Sequence, residues 1–146
     1  MSSKQPTILL TGASGQLGRE LAAILPACGT LIACDRAALD LADPSMIAKV
    51  VREVAPRLIV NAGAYTAVDR AETERDAAFA INGRAPAILA DEAKRAGAVL
   101  IHYSTDYVFD GERTVPYDES APTHPLNVYG ASKQEGERAI GASGAL

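Results

Sequence analysis

The feature that most constrains this chain is a glycine turn set between a short apolar run and an amphipathic one. Thr7-Ile8-Leu9-Leu10 ends at Thr11-Gly12, and Gly12-Ala13-Ser14-Gly15-Gln16-Leu17-Gly18 then places three glycines at GxxGxxG spacing. Apolar residues recur beyond it at Leu17, Leu21, Ile24 and Leu25, the spacing of one helix face. Strand, glycine turn and helix in this order suit a phosphate ligand. Glycine supplies the unusual dihedrals, lets a pyrophosphate approach the backbone and allows close packing of helix on strand, while the helix N-terminus faces the negative charge. The same triplet alone would also make a ligand-free tight turn; its place after an opening strand favours a dinucleotide.

The rest of the chain repeats that rhythm. Pro26 and Gly29 stop the first helix, and Leu31-Ile32-Ala33-Cys34 reads as a second strand ending at Asp35. Asp43-Pro44 supplies an N-cap and a first-turn proline for a helix carrying Ile47, Val50, Val51 and Val54, which Pro56 closes. Leu58-Ile59-Val60 is a third strand. An alanine-rich helical stretch runs from about Glu72 to Arg95, with an interruption predicted near Asn82-Gly83, Pro86 in the first turn of a new segment, and Gly97 as its end. Ala98 to Tyr103 is a fourth strand, Asp106 to about Asn127 a polar loop, and Leu126 to Ile140 a further helix. Short, continuously apolar strands alternating with helices predict an α/β fold, a doubly wound parallel sheet covered on both faces. With the glycine turn after its first strand, the sheet is expected to be Rossmann-like and NAD(P)-binding.

Composition narrows the partners. The 146 residues suit one domain, spanning 1–146. Lys and Arg number 14 against 18 Asp and Glu, and the basic residues are scattered singly, which argues against nucleic acid. No apolar run reaches the roughly 18 residues of a spanning helix, so no membrane is expected. Met1 to Pro6 lacks the basic and apolar parts of a secretory leader, so the cytoplasm is the expected compartment. Cys28 and Cys34 stand outside any CxxC pair and are read as reduced apolar side chains. His102 is expected as a satisfied core or interface residue, His124 as a loop residue, and no metal spacing is present.

Three groups carry chemistry. Asp35 ends the second strand, where a carboxylate can accept from an adenosine ribose, as NAD would require; Arg36 follows at once, and its guanidinium could hold the 2′-phosphate of NADP. The choice between the two cofactors stays open. Tyr129 and Lys133 lie four residues apart, so on a helix they share a face. A cation there favours the phenolate, and the phenol can give a proton to an alkoxide forming as hydride reaches a carbonyl. Ser104-Thr105-Asp106-Tyr107 follows the fourth strand, at the edge where open parallel sheets bind ligands, although such residues also satisfy strand-end turns.

Taken together, four stretches resemble the dTDP-4-dehydrorhamnose reductase family of extended short-chain dehydrogenases. They are the Gly12–Gly18 turn, Asn61-Ala62-Gly63-Ala64-Tyr65-Thr66-Ala67-Val68-Asp69 with Ala71-Glu72, His102 to Gly111 with its Ser104-Thr105-Asp106-Tyr107-Val108-Phe109 core, and Pro125 to Lys133. The resemblance implies reduction of the 4-keto group of dTDP-4-dehydro-L-rhamnose by NADPH or NADH, in dTDP-rhamnose synthesis. Tyr129 would be the proton donor, Lys133 would hold the nicotinamide ribose and tune the phenol, and Thr105 would bind the carbonyl oxygen. Thr105, Asp106 and Tyr107 would touch the dTDP-sugar. Gly15, Gln16, Leu17, Asp35, Asp40, Leu41, Gly63, Ala64, Tyr65 and Thr66 would line the cofactor, beside Gly12, Gly18 and Arg36, which the turn and the strand end already offer. Gly63 stands where the family usually has alanine, a loss of one methyl that should be tolerated.

The family continues beyond the position of Leu146 into further strands and a smaller substrate domain. The chain is therefore expected to be the cofactor half, with at most weak cofactor binding and no turnover by itself, since a missing fifth strand leaves an apolar sheet edge. A homodimer would cover such an edge. Two other readings remain: another NAD(P)-dependent sugar-nucleotide reductase or epimerase, and a non-catalytic nucleotide-binding regulatory subunit, which would not need Thr105, Tyr129 and Lys133.

Overall fold

In the computed structural model the described residues are 5–144. Met1–Lys4, on which most of the leader reading rests, and the last two residues lie outside them. Four parallel strands, β1 (Thr7–Thr11), β2 (Thr30–Cys34), β3 (Leu58–Asn61) and β4 (Val99–His102), form one sheet in the order β2-β1-β3-β4. Helices α1 (Gln16–Ile24), α2 (Pro44–Val54), α3 (Val68–Ala71), α4 (Arg75–Phe79), α5 (Ala85–Ala96) and α6 (Val128–Ser143) make the connections. The architecture is the doubly wound α/β sheet that the sequence predicts.

Register decides which side chains share a face. Leu9, Ile59 and Leu100 lie side by side and pack with Ile47 and Val51 of α2, Leu89, Ala90 and Ala93 of α5, and Ile140 of α6. Ile8, Leu10 and Val60 point the other way, onto Leu21 and Ala22 of α1. On that second face β4 is left uncovered, with Val99 60% and Ile101 42% exposed. No helix among the described residues is long and apolar enough to cross a membrane.

The elements follow their local signals. Asp43 caps α2 by accepting from Ser45 and Met46 N–H, with Pro44 at the first position. The stretch predicted as helix from Glu72 to Arg95 divides into α4, a π-turn at Ala80–Arg84, and α5. The interruption at Asn82-Gly83 is thus a widened turn rather than a break. It carries the Asn82 side chain inward, and Gly83 leaves room for the side chain of Glu135. Strand β4 spans Val99–His102, one residue shorter than predicted at each end, and its late start follows from the Ala98 N–H closing the end of α5 on Ala93 O at 2.9 Å. Helix α6 begins at Val128 rather than Leu126, since the Asn127 side chain accepts the Gly130 N–H at 2.7 Å and sets the start.

Candidate cofactor and catalytic site

A cavity of about 700 Å³ opens at the carboxyl ends of the strands. Its floor is the glycine turn. Gly12 has φ +66°, and a Cβ there would come within 2.5 Å of the Gly63 nitrogen, so the turn after β1 and the turn after β3 meet through bare backbone. Gly18, buried one turn into α1, packs against the Gly12 carbonyl, which a Cβ would overlap. No side chain caps the first turn of α1, and Gly15, its N-cap, lines the cavity with Gln16 and Leu17. Uncapped amides at the positive end of a helix, behind a turn with no side chain to obstruct approach, fit a dinucleotide pyrophosphate.

The side near β2 separates two residues that the sequence left in competition. Asp35 folds into its own turn, accepting the Ala38 N–H at 2.9 Å on Oδ1, and it is not part of the cavity wall. Arg36 does line the cavity, 3.6 Å from the Asp40 carboxylate, while Asp40 also accepts the Ala42 N–H. Leu41 continues this wall to Gly63, Ala64, Tyr65 and Thr66. A Cβ on Gly63 would press on the Leu41 methyl at 2.5 Å, the movable end of a side chain.

Tyr129 and Lys133 close the opposite side from α6, and both line the cavity. Lys133 is 3% exposed and donates from Nζ to the Tyr103 carbonyl at 2.5 Å. Burial pushes its pKa down, with Glu137 opposing the shift. The Tyr129 ring stands edge-on to Tyr107, with centroids 5.4 Å apart and planes at 79°. Beneath Lys133, one hydrogen-bonded row crosses three adjacent strand ends. Thr11 Oγ1 donates to Asn61 Oδ1 at 2.6 Å, and Asn61 Nδ2 donates to His102 Nδ1 at 3.0 Å. Burial and the Lys133 charge push the His102 pKa down to about 4. His102 is satisfied at one nitrogen only, which corrects the expectation, because buried Nε2 has no hydrogen-bond partner among the described residues.

Asn82 ties the two sides together. It is 1% exposed; its Oδ1 accepts the Tyr65 N–H at 2.8 Å, and its Nδ2 donates to the Tyr65 carbonyl at 2.9 Å and to Ser132 Oγ at 3.0 Å. Ser132 in turn donates to the Tyr129 carbonyl at 2.7 Å. Helix α6 lies so close on the π-turn that a Cβ at Gly136 would overlap the Asn82 carbonyl. Asn82 and Ser132 were not among the residues singled out by sequence, and the only signal for Asn82 was the interrupted helix.

Of the residues expected at the site, Thr105, Asp106 and Tyr107 lie outside the cavity wall, whereas Tyr103 and Ser104 are on it. Thr105 starts a short turn, donating to Asp106 Oδ1 and accepting from the Tyr107 N–H, each at 3.3 Å. Cys28 is exposed and Cys34 buried, both as free thiols. Among the described residues, no group of three or more His, Cys, Asp or Glu is placed to hold a metal ion.

Fold and site together define a Rossmann-like domain with a phenol and an ammonium on one helix beside the cavity at the carboxyl ends of its strands. Residues 6–145 match the RmlD substrate binding domain family, and the chain belongs to it. The dTDP-4-dehydrorhamnose reductase of Burkholderia thailandensis is 49% identical over 137 residues, 94% of this chain and 46% of that protein. The Escherichia coli protein of the same name is 46% identical over 137 residues, 91% of this chain and 46% of its own length. Among solved structures, the Bacillus anthracis dTDP-4-dehydrorhamnose reductase in complex with NADP superposes with a TM-score of 0.91 at 40% identity, covering 94% of this chain and 50% of that one. The chain thus spans about half the length of the curated relatives it matches.

Proposed function

We propose that residues 1–146 form the cofactor-binding and proton-donating domain of a dTDP-4-dehydrorhamnose reductase, which reduces the 4-keto group of dTDP-4-dehydro-L-rhamnose. The observation that carries this reading is the convergence of Tyr129 and Lys133 with the glycine turn on one cavity. The cofactor supplies the hydride. The amides of Gln16 and Leu17, at the uncapped start of α1, would bind its pyrophosphate, beside Gly15, whose own N–H goes to the Gly12 carbonyl at 3.0 Å, and Gly63 to Thr66 would flank it. Lys133 holds a ribose hydroxyl, and Tyr129 gives its phenolic proton to the oxygen of the reduced carbonyl. Thr105, Asp106 and Tyr107 meet the sugar nucleotide at the rim, with Thr105 on the carbonyl oxygen. NADPH is preferred to NADH because Arg36 lines the cavity while Asp35 does not, its carboxylate accepting the Ala38 N–H.

A cytoplasmic location accords with a soluble cofactor and a nucleotide-linked substrate. The exposed Val99 and Ile101 along β4 support a homodimer or further strands as their cover, and sedimentation of the full-length protein separates the two. The functional test is incubation of the full-length protein with NADPH and the keto-sugar nucleotide. Stoichiometric NADPH oxidation with dTDP-L-rhamnose as product supports the reading; an epimerised keto-sugar, or no turnover, refutes it.

A further inference from the structure

We propose that Glu72 is a positioning residue for Tyr129, an inference that rests on the reductase reading above. The first amides of a helix have no acceptor within it and carry partial positive charge. In α6 the Gly130 N–H goes to the Asn127 side chain at 2.7 Å and the Ala131 N–H to the Asn127 carbonyl at 3.0 Å. The Val128 N–H instead reaches Glu72 Oε1 at 2.8 Å, across 56 residues of sequence. An ionised acceptor at a helix N-terminus makes a strong, charge-assisted bond.

Glu72 stands immediately after α3, whose Ala71 is fully buried in one cluster with Ala78 and Val128, and the rings of Tyr65 and Tyr129 pack on that cluster. Apolar contact and carboxylate thus grip the same residue, Val128, next to the proposed proton donor. Asn127 already caps the helix, so the Glu72 bond adds a fixed distance between α6 and the 63–74 segment, which carries Tyr65 in the cavity wall. Glu74, two residues further on, is committed to the Tyr65 hydroxyl and to Arg70. Loss of the Glu72 bond lets the first turn of α6 drift relative to that wall and misaims the phenol. The glycine turn and Arg36, on the far side of the cavity, keep their hold on the cofactor.

The test compares Glu72→Ala and Glu72→Gln in the full-length reductase, measuring kcat, KM for the keto-sugar, NADPH affinity and melting temperature. Misalignment of a reacting group predicts that Glu72→Ala lowers kcat about tenfold, with KM and NADPH affinity within about twofold. Glu72→Gln, whose amide oxygen still accepts the Val128 N–H, should recover kcat to within about threefold. An unchanged kcat in Glu72→Ala overturns the proposal, as does a loss shared equally by kcat, cofactor affinity and melting temperature, or a Gln variant as slow as the Ala variant. A wild-type protein inactive on the keto-sugar overturns the reductase reading instead.

Discussion

Replacing Asn82 by alanine tests the link between the π-turn and α6. The side chain is 1% exposed and makes three hydrogen bonds, two to the Tyr65 backbone and one to Ser132. Each contributes about 1 kcal/mol net, so the loss totals about 3 kcal/mol, with the stranded Tyr65 groups keeping it from being less. For a chain of this size that corresponds to a melting temperature lower by roughly 10 °C. The assay is urea unfolding of the wild type, Asn82→Ala and Asn82→Asp under identical conditions. Aspartate keeps an acceptor for the Tyr65 N–H but turns a carboxylate toward the Tyr65 carbonyl and Ser132 Oγ, so at neutral pH it should be no better than alanine. At low pH the introduced carboxyl is protonated and regains one donor, so the deficit of Asn82→Asp relative to wild type should narrow while that of Asn82→Ala does not. A loss below about 0.5 kcal/mol in Asn82→Ala would refute the clamp, since that is the range of substitutions that touch nothing.

Two further outcomes follow, one from the strand ends and one from the cavity wall. His102, with a folded pKa of about 4 against about 6.5 unfolded, contributes stability that is fully present above pH 6.5 and is lost as pH falls toward 4. The loss reaches about 3 kcal/mol over that window, and a histidine ring NMR titration with a midpoint near 6.5 would contradict it. Arg36→Ala should weaken NADPH binding by about ten- to a hundredfold, as expected for a charged hydrogen-bonding partner, and leave NADH within about twofold; equal losses for both cofactors, read by calorimetry, would refute the assignment of Arg36 to the 2′-phosphate.

How much of this was legible in the sequence depends on the range of the interactions. Ile8 to Leu10 and Leu58 to Val60 are continuously apolar because both faces of their strands are covered, and the glycine turn announces itself by its place between strand and helix. Tyr129 and Lys133 are fixed by the helix period alone. The part that was not legible is built from pairs far apart in the chain. Asn82 finds Tyr65 and Ser132, 17 and 50 residues away, so its sequence shows an interrupted helix but neither the widened turn nor its purpose. Asp35 and Arg36 are equivalent candidates as letters; only the Ala38 N–H, which takes the Asp35 carboxylate, separates them. His102 reads as a core residue in a strand, and register is what places it beside Asn61.

Tyr129 is the residue on which the proposed chemistry most directly depends. Turnover of the keto-sugar nucleotide by full-length wild type and Tyr129→Phe, followed through NADPH absorbance alongside NADPH binding, isolates the phenolic proton. Loss of a positioned proton donor predicts a kcat at least about a hundredfold lower with cofactor affinity unchanged. Equal turnover by the two proteins would contradict the role given to Tyr129 and the reading of the site built on it.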